Sequence, residues 1–188
     1  GAFVNKFHHG YVPCCMRIDK YIRYDEPNVL KVSIRGTALP NSRWYSGQGI
    51  YRDAWLLTGD RLHISQDGLH VTTLDCSEEL AQIEVTADVW NEGPSAREGY
   101  AELTVLDGSG KVVAERKARF YADANGKVLV RQRLTLDKPN LWDVDSPNLY
   151  SVKCRLTDRG TGETVDCEEA AFGIRKLQLD SKYGLRIN

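Results

Sequence analysis

Paired carboxyl groups are the first places in this 188-residue sequence where side chains could do chemistry. Acidic doublets stand at Glu78-Glu79 and Glu168-Glu169, and Glu92 follows Asn91. Two carboxyl groups held close together can serve one reaction as general acid and general base. Neighbouring residues of a strand point to opposite faces, so neither doublet can close on one bond. Asn91-Glu92 ends an alternating run and meets Gly93-Pro94, the composition of a turn at a strand end. His8, His9, Cys14 and Cys15 carry metal-ligating atoms. Zinc ligands are usually spaced two to four residues apart, whereas adjacent doublets diverge. This group reads as a polar loop and a strand edge. No catalytic residue, metal site or cofactor is expected in the chain.

A different chemistry is written in "NSRWYSGQGIYRDAWLL", Asn41 to Leu57, where aromatics, arginines and glycines crowd ahead of a strand-like run. In one reading Trp44, Tyr45, Ile50, Tyr51 and Trp55 bury apolar surface, worth up to ~2–3 kcal/mol each, while Gly47 and Gly49 let the backbone turn. In the other, flat aromatic faces and amide or guanidinium donors build a sugar pocket.

The elements that position these residues are strands. Ile83, Val85, Ala87 and Val89 alternate with polar neighbours, as do Ala101, Leu103 and Val105; Val128, Val130, Leu134 and Leu136; and Tyr150, Val152, Cys154 and Leu156. Each run has the period of a half-buried antiparallel strand. "NEGP" (91–94), "DGSG" (107–110), "DANG" (123–126) and "DRGTG" (158–162) supply turns between them. The expected fold is all-β: an immunoglobulin-like antiparallel β-sandwich over 69–176, with roughly seven strands in about a hundred residues. Ahead of it, residues 1–68 offer strand candidates at Ala2–Asn5, Met16–Ile18, Val29–Arg35, Ile50–Thr58 and Leu62–Ser65. These are too few for a closed jelly roll and are expected to be the end of an incomplete β domain.

Composition narrows the function. Hydrophobic residues make 41% and charged residues 27% of the chain, with a net charge of −1 and both signs interleaved. No basic stripe suits nucleic acid, and no apolar run approaches the roughly 20 residues that cross a bilayer. The five cysteines lack paired spacing. They are expected as buried free thiols, with a Cys154–Cys167 bridge across a turn as the alternative. Free thiols favour the cytoplasm. An N-terminal Gly1 in place of methionine leaves periplasmic or secreted placement open.

"NSRWYSGQGIYRDAWL" resembles the motif that closes the sugar-binding jelly roll of glycoside hydrolase family 2, the β-galactosidase and β-glucuronidase family. "LWDVDSPNLYSVKCRL" (141–156) is similar to the signature of that family's immunoglobulin-like second domain. "FGIRKLQLDSKYGLRIN" (172–188) resembles the linker into its catalytic (β/α)₈ barrel, and "HHGYVP" (8–13) a loop of its jelly roll. The resemblance implies a jelly-roll end at 1–68, a sandwich at 69–176, and a linker at 177–188 toward a barrel that the chain lacks. It implies that Asn41, Arg43 and Trp44 reach the substrate rim, although this chain has Ser42 where some members carry a carboxylate. The implied role is accessory and non-catalytic in a β-galactosidase-like enzyme, with a carbohydrate substrate and the barrel as partners. Open sheet edges add a homodimer or strand-swapped pair. The alternatives are a stand-alone carbohydrate-binding module using Trp44, Tyr45, Tyr51 and Trp142, and an immunoglobulin-like interaction module.

Overall fold

Strands with one apolar side must pair and then stack, and the second part of the chain does both. The computed structural model describes residues 1–35 and 49–188. They fall into two units, Gly1–Trp55 and Leu56–Asn188.

The larger unit holds seven long strands: β1 (Leu62–Cys76), β2 (Leu80–Asn91), β3 (Arg97–Leu106), β4 (Val112–Ala122), β5 (Gly126–Asp137), β6 (Tyr150–Asp158) and β7 (Thr164–Phe172). One sheet has the order β1-β2-β5 and the other β4-β3-β6-β7, with every pair antiparallel. Hairpins join β1 to β2, β3 to β4 and β6 to β7, and the remaining connections cross between sheets. This is the expected immunoglobulin-like sandwich, with one variation. The fourth strand pairs with β3 rather than with β5, so it belongs to the opposite sheet from that of a constant-type domain.

Alternation sets the core. Ala81, Ile83, Val85, Ala87 and Val89 of β2 meet Leu103 and Val105 of β3 and Val152, Cys154 and Leu156 of β6 in one buried cluster. Tyr150 opens β6 at the same interface, and its hydroxyl accepts a hydrogen bond from the Asn140 N–H at 2.8 Å. A tyrosine at the start of this strand, tied back to the preceding crossover, is the corner that sandwiches of this type use. All four expected turns are turns or bends.

Two expectations need correction and a third gains detail. The division at 68/69 falls inside β1, where Asp67-Gly68 makes a bulge. Ile64 pairs with Val89 and Leu69 already with Ala87. Asp67 takes φ 52°, and a Cβ on Gly68 would stand 2.6 Å from the Ser65 carbonyl oxygen. Residues 177–188, expected as a linker, form a hairpin: β8 (Leu177–Asp180) pairs with β9 (Gly184–Ile187). The Asp180 carboxylate closes its turn by accepting from the Lys182 and Tyr183 N–H groups at 2.7 and 2.9 Å. Finally, among the described residues ahead of Asp60 no segment forms a ladder; of the five strand candidates only Leu62–Ser65 lies in a strand. A strand needs a neighbour for its N–H and C=O groups, and the described residues of this unit supply none.

Among its described residues the smaller unit carries a single 3₁₀ turn, at Asp19–Tyr21. Asn28 closes a loop there, accepting from Arg23 N–H and donating to the Arg23 and Glu26 carbonyls. The alternating Val29–Arg35 run leaves Val29, Leu30, Val32 and Ile34 exposed.

Replacing Tyr150 by Phe keeps the ring and strands the Asn140 donor. Urea titration of the chain should show a loss of about 1 kcal/mol; an unchanged midpoint would remove the corner from the account.

Candidate functional site

The substrate-rim residues expected from sequence, Asn41, Arg43 and Trp44, lie outside the described residues, as does Tyr45. The described flank of their motif is open. Gly49 takes φ 124°, Ile50, Tyr51 and Trp55 are exposed rather than buried, and the Arg52 guanidinium sits 5.5 Å from the Tyr51 ring centre. Trp142, the fourth aromatic of the carbohydrate-module reading, is no open platform. It is half-buried, its ring lies against Gly173 where any Cβ would approach to 2.8 Å, and Arg175 covers it at 4.5 Å.

The other sequence candidates resolve into structure. Asn91 is the last inward residue of β2 and is fully buried. Its carboxamide donates to the Ser95, Ala122 and Asp123 carbonyls and accepts from Gly93 N–H. Asn91 therefore ties together two loops at one end of the sandwich, and Glu92 donates its N–H to the Arg61 carbonyl at 2.7 Å. Glu78 and Glu79 sit at the exposed tip of the β1–β2 hairpin. Glu168 and Glu169 point to opposite sides of β7: Glu169 faces Lys153 at 3.5 Å, and Glu168 stands across from Cys154. His9 Nδ1 accepts from the Tyr11 N–H, Cys14 contacts the Val12 carbonyl, and no group of three ligating side chains forms among the described residues. All five cysteines are free, and only Cys154 is buried. Register explains why it has no bridge: Cys154 pairs with Glu168, whereas Cys167 pairs with Arg155, one residue out of step and facing outward. Burial pushes the Cys154 thiol up to about 12, so it stays protonated.

The strongest electrostatic feature is one that sequence reasoning passed over. Arg97 Nε donates to Asp158 Oδ2 at 2.6 Å and its Nη1 to Asp60 Oδ1 at 2.7 Å. Asp158 is buried and also accepts from the Gly160 and Thr161 N–H groups. Asp60 accepts from Leu62 N–H, the first residue of β1. Burial alone would raise the Asp158 pKa, but the Thr161 N–H, Arg97 and the Gly160 N–H outweigh it and hold the group below the usual carboxylate range. The Leu62 N–H, with Arg97, lowers Asp60 in the same way. A glycosidase acid needs a raised pKa, so this triad is built to stay ionised. It latches the entering chain to the β6–β7 turn. Parity along the strands carried the signal. Arg97 and Asp158 continue the inward sets of β3 and β6, where a charge demands a partner.

Glu168 is shifted the other way, by burial first and then by Asp166 and Asp67. Asp166 is already engaged, accepting from Ile64 N–H at 2.7 Å. A shallow groove of about 610 Å³ crosses the outer face of the four-stranded sheet. Several of its charges are paired within the face: Lys117–Glu102 at 2.7 Å, Arg155–Glu102 at 4.0 Å and Lys153–Glu169 at 3.5 Å. It reads as an ion-laced solvated surface.

Residues 62–175, the sandwich, match the glycosyl hydrolases family 2 family. The chain belongs to that family. Over 96% of its length it is 34% identical to the β-galactosidase BoGH2A of Bacteroides ovatus, of which it covers 21%. It is 23% identical to a β-glucuronidase of Formosa agariphila, matched over all of this chain and 21% of that one. A crystal structure of a family 2 member from Bacteroides cellulosilyticus superposes on 78% of this chain and 20% of its own, with TM-score 0.74 and 29% identity. The chain thus spans about a fifth of the length of these curated relatives.

Replacing Arg97 by Met should lower stability at neutral pH by about 2–3 kcal/mol, since Asp158 keeps its charge and loses its cation. Both carboxylates have native pKa values below the unfolded value of about 3.9. Their contribution is therefore present above that pH and fades as pH falls through the lowered native values. Denaturant titrations at neutral and acid pH should show this acid loss in the parent and a smaller one in Arg97→Met; equal pH slopes would contradict it. Glu168 has the opposite sign. Its raised pKa means folding opposes its ionisation, so Glu168→Gln should raise the melting temperature at neutral pH and have little effect at pH 4. A lower melting temperature at neutral pH would refute the assignment.

Proposed function

We propose that this chain is an accessory, non-catalytic β region of a family 2 glycoside hydrolase of β-galactosidase-like type. It orients a catalytic barrel and helps shape the entrance for a carbohydrate substrate. One observation carries the reading: nearly the whole chain aligns with about a fifth of a β-galactosidase. The activities for which the relatives are named, β-galactosidase and β-glucuronidase, point to hydrolysis of O-glycosidic bonds in the parent enzyme.

Residues 177–188 support the orienting half. In the β8–β9 hairpin Leu177 stands opposite Ile187 and Leu179 opposite Leu185, so the four apolar side chains share one face. Leu179 is 86% and Leu185 66% exposed. A two-stranded hairpin is marginal on its own and an apolar face of this kind needs a cover; in the proposed role the barrel provides it. In this reading the residues ahead of β1 are the end of a jelly-roll sugar-binding-type domain, and Asn41, Arg43 and Trp44 belong to the substrate rim. The carboxylates also support a non-catalytic part. Asp60 and Asp158 are held ionised by backbone N–H groups of Leu62 and Thr161 together with Arg97, and Glu168 and Glu169 point to opposite sides of β7.

Purified chain incubated with nitrophenyl β-galactoside and β-glucuronide should release product at the rate of the buffer blank, while the full-length enzyme hydrolyses at least one of them. In the full-length enzyme Trp44→Ala should raise KM without changing the melting temperature. Turnover by the chain alone would overturn the assignment. Calorimetric binding of polysaccharide to the chain would favour a carbohydrate-binding module instead.

A further inference from the structure

The two sequence motifs at 141–156 and 172–188 meet at the end of the sandwich opposite the Arg97 triad, around one tryptophan and one asparagine. Trp142 donates its N–H to the Ile174 carbonyl at 2.8 Å, and its ring fills the space that Gly173 leaves. Arg175 lies over the other part of the ring. The next residue, Lys176, bonds its Nζ to Asp75 Oδ1 at 2.7 Å, near the end of β1. Twelve residues later the chain returns. Asn188 N–H donates to the Lys176 carbonyl at 2.8 Å, Asn188 Oδ1 accepts from Lys176 N–H at 2.9 Å, and Asn188 Nδ2 donates to the Trp142 carbonyl at 3.0 Å.

We infer that Asn188 is a positioning residue: its carboxamide clasps the base of the β8–β9 hairpin to Trp142 and so sets the direction in which the hairpin projects from the sandwich. The site asks for a side chain that donates to one carbonyl and accepts from one N–H at the same time. It also needs a backbone at φ 63°, in the left-handed region. Asparagine meets all three conditions. Aspartate has no donor and would set a negative charge beside the Trp142 carbonyl, glycine has neither group, and glutamine is a methylene longer. The hairpin's strands are four residues each and its apolar face is open, so few other contacts hold its angle. The consequence for catalysis rests on the accessory role proposed above; the clasp itself does not.

Hydrogen exchange on the full chain separates the two. Asn188→Ala should lower the protection of the Lys176 amide and of the β8–β9 amides roughly tenfold, and Asn188→Asp, which still accepts from the Lys176 N–H but cannot donate to the Trp142 carbonyl, should lower that of the β8–β9 amides, both leaving β2, β3 and β6 unchanged. Lys182→Ala, at the exposed hairpin turn, should leave the Lys176 amide as it was. Protection retained at Lys176 in Asn188→Ala would overturn the inference, as would an equal loss in Lys182→Ala. In the full-length enzyme Asn188→Ala should lower kcat/KM on an aryl glycoside. Unchanged turnover beside lost protection would sink the accessory role and leave the clasp standing.

Discussion

Two stacked sheets can bury their inner faces only if each strand keeps one side apolar along its length, which pushes inward polar groups to the strand ends. The sandwich obeys this closely. Its buried polar residues are Ser65 at the β1 bulge, Asn91 at the end of β2 and Asp158 at the end of β6. No buried side-chain nitrogen or oxygen among the described residues lacks a hydrogen-bond partner. Partners at a strand end come from loops, because neighbouring strands have already used their ladders. Satisfying Asn91 therefore holds the Ser95 and 122–123 segments, and satisfying Asp158 holds Arg97, the β6–β7 turn and, through Asp60, the entrance to β1. The polar end of the sandwich is a consequence of the apolar middle.

The same constraint explains which surfaces of the sandwich are closed. On one side Asp166 of β7 reaches across and caps the Ile64 N–H of β1, joining the edges of the two sheets. On the other, β4 and β5 carry Glu115, Arg116, Lys117, Arg131 and Arg133, charges that discourage pairing with a further strand. The hairpin has no such guard on its apolar face, nor do Val29, Val32 and Ile34 in the other unit.

Much of this was legible in the sequence, for a physical reason. Inward and outward positions of a half-buried strand differ in type, so alternation located β2, β3, β5 and β6, and residues that tolerate positive φ located their turns. The bulge at Asp67-Gly68 was not legible as a bulge, since the same dipeptide serves tight turns; pairing to β2 on both sides decides between them, and that is a tertiary fact. Nor was the β8–β9 hairpin, whose "DSKYG" turn depends on the Asp180 carboxylate folding back onto two amides. The Arg97–Asp158 latch could have been found by extending each alternating set one step further, to the charged residue at its end. The rim residues differ in kind. Asn41, Arg43 and Trp44 were singled out by resemblance, and no periodicity in their own stretch assigns them a face.

In the proposed accessory role the sandwich would serve a glycosidase through placement, and placement is sensitive. From the Asp60 latch to the Asn188 clasp the chain traverses the length of β1, ~40 Å at about 3.3 Å per residue with allowance for the bulge. Over that span a tilt of about 1° displaces the far end by about 0.7 Å. A misplacement of about 1 Å at an active site can cost about a hundredfold in rate. A spacer of this length that pivoted freely at either end could not hold a substrate-rim loop in register with a barrel. In that proposed role, the charged triad ahead of β1 and the inferred carboxamide clasp at the base of the hairpin would stiffen the two ends of the sandwich unit. The proposed accessory role therefore asks for stiffness at two ends of one β-sandwich, and these are the places where its hydrogen bonds depart from the regular ladder.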